Sequence, residues 1–253
     1  MKNSKINRFW EIDSLRGIAI ILMIIYHLLF DLSYFGNYAF DIHSALFLLI
    51  GRSAAILFLL LVGISLTLSY SKNQIDKSNR YIKLFLRGLK IFSLGLIISS
   101  ITWLIFPNNF IRFGILHLIG ISIILSIPFL KFNLIKEKNI YNLIIGILII
   151  ITGFYLQTLQ FNVNELFWLG FIPHHFNTFD YFPILPWFGI VLIGLSLGNM
   201  FYKNYKRQFR FIKDPNNKLV DALNYIGRHS LIIYFLHQPV IIFILYLFGI
   251  ISI

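Results

Sequence analysis

Seven times along its 253 residues this sequence runs apolar for long enough to cross a membrane as a helix. About 20 residues in α-helix span the roughly 30 Å of hydrocarbon in a bilayer. The runs lie near residues 12–34, 44–70, 84–106, 110–130, 140–159, 182–202 and 226–251. In hydrocarbon no water is present to satisfy backbone amides and carbonyls, so each run must close its own hydrogen bonds as a helix. The expected fold is therefore all-α, a polytopic transmembrane helical bundle of about seven spans, with residues 1–253 forming a single membrane domain. Composition supports this against a soluble reading: 58% of residues are hydrophobic and 13% charged, whereas soluble domains hold roughly 45–50% and 25%. The first run is too long for a signal-peptide core and no A-x-A-like site follows it, so it is expected to stay in the mature protein.

The charges report orientation. Twenty of the 22 lysines and arginines fall in four groups: the amino-terminal segment, and the connections after the second, fourth and sixth runs with their flanks. Lysine and arginine in short loops mark the cytoplasmic side, so the amino terminus is expected inside and the carboxyl terminus outside. The formal charge of +12 is explained by this placement, and no nucleic-acid partner is expected. The two exceptions are Arg52, in the outer part of the second run, and Arg112, at the outer start of the fourth. The chain has no cysteine, which removes disulfides and thiol nucleophiles.

Within the first run stand Asp13, Arg16, His27 and Asp31. Ionisable side chains are costly in a bilayer and usually serve ion, proton or substrate work. Eleven helical steps separate Arg16 from His27, which returns them to within roughly 20° of each other and about 16 Å apart along the axis. Asp13 lies three residues before Arg16 and Asp31 four after His27, which makes them neighbours on that face. Arg16 offers a planar fork of donors for phosphate or carboxylate, and Asp13 can hold it. His27 can act as a general base, with Asp31 orienting its ring. A buried ion pair with a structural histidine is the plain alternative.

Further candidates stand elsewhere. His117 and His237 fall in the fourth and last runs at a depth compatible with His27. His174, His175 and Asp180 lie in the connection 160–181, which has no lysine or arginine and can cap an outward-facing cavity. Asp180 and Trp187 belong to an aromatic stretch suited equally to an interfacial belt and to stacking against a sugar ring. No H-x-x-x-H or H-E-x-x-H spacing occurs, so no metal is expected.

Asp13-Ser-Leu-Arg-Gly17, the Arg16-x10-His27 spacing, Phe113-Gly-Ile-Leu-His-Leu-Ile-Gly120, Asp180-Tyr-Phe-Pro-Ile-Leu-Pro-Trp187 and Gly227-Arg-His-Ser-Leu-Ile-Ile-Tyr-Phe-Leu-His-Gln-Pro239 together resemble the prokaryotic family related to the heparan-α-glucosaminide N-acetyltransferase catalytic domain. The resemblance extends from about Arg8 to the carboxyl end, and Arg-x10-His is also similar to the motif of the membrane acyltransferase-3 proteins. It implies an acetyltransferase of the cell membrane that takes acetyl-CoA from the cytoplasm and acylates an amine or hydroxyl of an extracytoplasmic acceptor, a sugar or glycan. Arg16 and His27 are the functional pair it implies, with Asp13 beside them. His43 lies in the region where the heparan enzyme has been discussed around a loop histidine. Lys83 and Arg87 are then available to the phosphates of acetyl-CoA together with Arg16, while Asp31, His43, Arg52, His117, Asp180, Trp187 and His237 line the acceptor's path. The lipid bilayer is the other expected partner, and a homodimer is compatible with the chain. The competing reading is a proton-coupled transporter or permease using the same Asp, Arg and His chain.

Overall fold

A computed structural model describes residues 8–36, 38, 41, 44–72, 77–132, 139–161, 163–209 and 217–251. Among them are eight α-helices: α1 (Trp10–Tyr34), α2 (Ala45–Lys72), α3 (Lys77–Ile105), α4 (Ile115–Phe132), α5 (Asn139–Gln157), α6 (Ile184–Phe201), α7 (Lys218–Arg228) and α8 (Ser230–Leu247). Two short parallel strands, β1 (Gln160–Phe161) and β2 (Ile172–Pro173), pair in the connection between α5 and α6. Six helices, α1, α2, α3, α5, α6 and α8, are long and apolar enough to cross a membrane, and the apolar stretch of α4, Ile115–Leu130, is shorter. The protein is all-α and polytopic, as expected.

Two boundaries differ from the periodicity for physical reasons. The last apolar run breaks at His229, where the backbone leaves helical geometry at φ −100° and ψ 13°, so that α7 and α8 are separate helices. In α7, Asn217 caps the start by accepting from the Leu219 amide at 2.9 Å. The fourth helix begins at Ile115 rather than near 110, because the preceding backbone bonds elsewhere. Phe179 donates to the Asn109 carbonyl and Phe182 to the Phe113 carbonyl, each at 2.9 Å.

The chain divides into two compact units, Met1–Phe58 with Phe211–Ile253, and Leu59–Arg210, the division falling within α2. In the first unit α1 packs against α7 and α8. Glu11 and Asp13 in its first turn oppose the positive end of the helix dipole. Contact with α7 depends on small residues, since a Cβ at Gly17 would stand 2.3 Å from the Leu223 carbonyl oxygen and one at Gly227 1.8 Å from that of Asp13. Ile241, Leu245 and Ile251 form an apolar cluster that also takes in Ile24, Leu32 and Phe35.

In the second unit α3 packs on α4 and α5 on α6. The α5–α6 contact closes on Gly146 and Gly189, where a Cβ at either position would meet the other's carbonyl oxygen within 2.8 Å. Thr67 donates to the Leu195 carbonyl of α6 at 3.2 Å, and Leu59, Leu118, Ile123, Val191, Leu192 and Leu195 are buried almost completely.

Candidate active site

The first unit gathers the polar residues of α1 with partners on α7 and α8. At the start of α1 the Asp13 carboxylate is buried and takes two guanidinium groups: Arg16 donates to Oδ1 at 3.0 Å and Arg228 to Oδ2 at 3.4 Å. One residue on, Ser14 donates to Oδ1 of Asn224 on α7 at 2.9 Å, with both residues buried. The Asp13–Arg16 pair is the one that the i,i+3 spacing predicts. Arg228, Ser14 and Asn224 escaped that reading, since their contacts close over more than 200 residues of chain.

Farther along α1, His27 meets His237 of α8 with ring centroids 4.9 Å apart and planes at 55°. The edge of Tyr26 also stands against His27, centroid to centroid 5.3 Å. Nδ1 of His237 bonds the Tyr234 carbonyl, while its Nε2 is buried with no hydrogen-bond partner. Because a carbonyl can only accept, Nδ1 carries the proton and Nε2 holds a free lone pair. One turn beyond His27, Asp31 is 0% exposed, and the side-chain amide of Gln238 donates to both of its carboxylate oxygens at 2.8 and 2.9 Å. Asp31 therefore takes its hydrogen bonds from Gln238 rather than orienting the His27 ring. Pro239 follows directly inside α8; its missing N–H leaves the Phe235 carbonyl without its helical donor. Gln238 was not among the expected residues, although a polar side chain beside His237 in an apolar run was its visible signal. Arg52 is exposed on the part of α2 in this unit, and His43 lies outside the described residues.

The expected residues His117, Asp180, Trp187, Lys83 and Arg87 belong to the second unit. His117 on α4 accepts from the Gly114 amide at Nδ1 at 3.2 Å, and its Nε2 stands 3.5 Å from Oγ of Ser99 on α3, which donates to the Ile111 carbonyl. The imidazole stacks on Phe113 and meets the edge of Phe92. Nε2 thus faces α3, while Nδ1 holds the backbone at the start of α4.

Asp180 has a similar part. Its Oδ2 accepts from the Ile115 amide at 3.1 Å, capping α4 from the connection that precedes α6. Burial pushes its carboxyl up to about 6, against the opposing pull of backbone donors from Ile115 and Tyr181. Thr178 reinforces this seam, donating to the Phe110 carbonyl at 2.8 Å and accepting from the Arg112 amide at 3.3 Å. Tyr181 donates to the Phe167 carbonyl at 2.7 Å, and burial raises its phenol above the ordinary value. Trp187 meets the edge of Phe182 with centroids 4.8 Å apart. Lys83 and Arg87 are exposed on α3. Among the described residues no three His, Asp or Glu side chains converge as a metal-ligand set.

Six long apolar helices define a multi-pass membrane protein, and α1 carries an ion pair, a histidine contact and a buried carboxylate against α7 and α8. The model of the family described as heparan-alpha-glucosaminide N-acetyltransferase, catalytic, matches residues 8–239, and the chain belongs to that family. That range contains every polar contact of α1 described above and the family's class of activity is acetyl transfer. No curated protein and no solved structure matches the chain.

Proposed function

We propose that the protein transfers an acetyl group from cytoplasmic acetyl-CoA to an amine or hydroxyl of a sugar or glycan on the other side of the cell membrane. The observation that carries this reading is the arrangement along α1. A guanidinium anchored by Asp13 stands at one end, and His27 faces His237 about 16 Å along the axis. A donor entering from the Arg16 end meets fixed positive charge suited to its phosphates. Its thioester carbonyl then lies toward His27, which is partly exposed.

In the transfer step the acceptor nitrogen or oxygen attacks the thioester carbonyl carbon as His27 takes its proton. The C–S bond then breaks, and the CoA thiolate leaves with a proton returned to it. General-base assistance of this kind contributes roughly 10²–10⁴-fold. The distribution of basic loops supports the sidedness, since the residues before α1 are rich in lysine and arginine.

The test is acetyl transfer from labelled acetyl-CoA to amino-sugar and hydroxyl acceptors by purified protein in detergent. Wild type should transfer the label, and His27→Ala should lose transfer while keeping the wild-type melting temperature. Undiminished transfer by a folded His27→Ala protein would remove His27 from the chemistry. A wild-type protein that neither transfers the label nor melts higher with acetyl-CoA would remove the acetyltransferase reading.

A further inference from the structure

We infer that His27 and His237 work as one base, with His237 fixing the tautomer of His27 and sharing the proton it takes, and with Asp31 supplying the countercharge. This rests on the acetyl-transfer reading above. Three observations converge on it, the first being the lone pair of His237. Its Nδ1 proton is committed to the Tyr234 carbonyl, and Nε2 is buried without a partner although His237 is only 8% exposed. A buried polar atom left unpaired is costly, and in a native structure it calls for a functional account.

The second observation is proximity. The two rings stand 4.9 Å apart between centroids, and among the described residues His27 makes ring contacts but no hydrogen bond. Imidazole turns broadly about its second side-chain torsion. A centroid separation of 4.9 Å leaves room for one N–H···N hydrogen bond between two imidazoles whose nitrogens face each other. An N–H of His27 donated to that lone pair fixes the tautomer, leaving the other ring nitrogen of His27 free to receive the acceptor's proton.

Charge is the third. Asp31 lies one turn from His27 on α1 and is fully buried, and it is held by the neutral amide of Gln238 with no cation paired to it among the described residues. When ionised, a buried carboxylate bonded only by a neutral amide is a costly charge. The imidazolium that forms when His27 takes a proton provides the opposite charge on the same helix. The other titratable or charged side chains on the helices of this unit are Glu11, Asp13, Arg16, Tyr26 and Tyr34 on α1, Arg52 on its part of α2, Lys218, Asp221, Tyr225 and Arg228 on α7, His229 at the junction, and Tyr234 and Tyr246 on α8.

During the reaction the acceptor's proton moves to the free nitrogen of His27. The resulting imidazolium shares its other proton with Nε2 of His237, and the first proton passes to the leaving thiolate. Proton count is conserved and both imidazoles end neutral. His237 thus acts through His27, as a positioning residue rather than one that touches substrate.

The test pairs kinetics with nitrogen NMR. His237→Asn keeps a donor for the Tyr234 carbonyl and removes the lone pair of Nε2. It should lower kcat by roughly 10²-fold with the acceptor KM unchanged, and should alter the pH profile of kcat. In His237→Ala, added imidazole should restore part of the lost rate. A folded His237→Asn protein with wild-type kcat and pH profile overturns the inference, as does a kcat loss that imidazole never relieves in His237→Ala. Labelled-histidine NMR of the full chain in micelles reads the pair without turnover. The Nε2 resonance of His237 should report an accepted hydrogen bond that disappears in His27→Phe, and an identical resonance in both proteins overturns the pairing. Absence of acetyl transfer in wild type with the NMR signature intact would count against the acetyltransferase reading and leave the histidine pair standing.

Discussion

One methyl group added at Gly227 should force α1 and α7 apart. A Cβ there would stand 1.8 Å from the Asp13 carbonyl oxygen and 3.0 Å from the Gly17 amide nitrogen. Both obstacles are backbone, so no side chain can swing aside, and the helices must separate by roughly 1.5 Å to reach ordinary contact distance. Overpacking of this kind costs about 1–3 kcal/mol. The displacement also stretches the buried Ser14–Asn224 bond, now 2.9 Å, and a buried group left unsatisfied costs about 1–3 kcal/mol. Alanine improves on glycine in a helix by about 0.8–1.0 kcal/mol, which offsets only part of the loss. The expected net effect of Gly227→Ala is a destabilisation of roughly 2–4 kcal/mol. Thermal unfolding of the detergent-solubilised protein reads it directly. Ala222→Gly is the control, because Ala222 is exposed on the same helix and should show the propensity cost of about 1 kcal/mol alone. A Gly227→Ala protein melting at or above wild type would refute the close approach of α1 and α7.

Three other outcomes follow from the same contacts. Because burial raises the Asp180 carboxyl to about 6, above its unfolded value near 3.9, the folded state binds the extra proton. The associated stability is full below about pH 4 and is lost as pH rises through about 6. Asp180→Asn should therefore flatten the fall in melting temperature between pH 4 and 6.5, and an unchanged slope would contradict it. His117→Gln should lower the melting temperature without abolishing acetyl transfer, since Nε2 of His117 meets Ser99 of α3 and Nδ1 holds the Gly114 amide at the start of α4; full loss of transfer in a stable protein would show a direct chemical part. Asp13→Asn should cost about 1–2 kcal/mol, because Arg228, at 46% exposed, recovers solvent while Arg16 at 22% recovers less. Melting indistinguishable from wild type would deny the Asp13 pairing any stabilising part.

The helices were legible because long apolar runs leave the backbone no alternative in a bilayer. The Asp13–Arg16 pair was legible because it is local, set by three helical steps. What escaped was decided by distant chain. Gln238 reaches Asp31 across 207 positions, and Asn224 reaches Ser14 across 210, so no local periodicity announces either. The late start of α4 has the same origin. Residues 109–113 take their partners from 178–182, and Asp180, which its aromatic neighbourhood had suggested for a sugar, caps Ile115. The break at His229 was hidden in hydropathy because Ile226 continues the apolar composition of α8 backwards into a short amphipathic helix.

The most direct measurement is sided acetyl transfer in proteoliposomes. Labelled acetyl-CoA is supplied on the face bearing the amino terminus, and an impermeant amino-sugar acceptor is enclosed on the other. The account predicts acetylated acceptor in the lumen, dependent on His27, and none when donor and acceptor share the opposite face. Acceptor acetylated only on the donor's own side, or equally by His27→Ala, would contradict it.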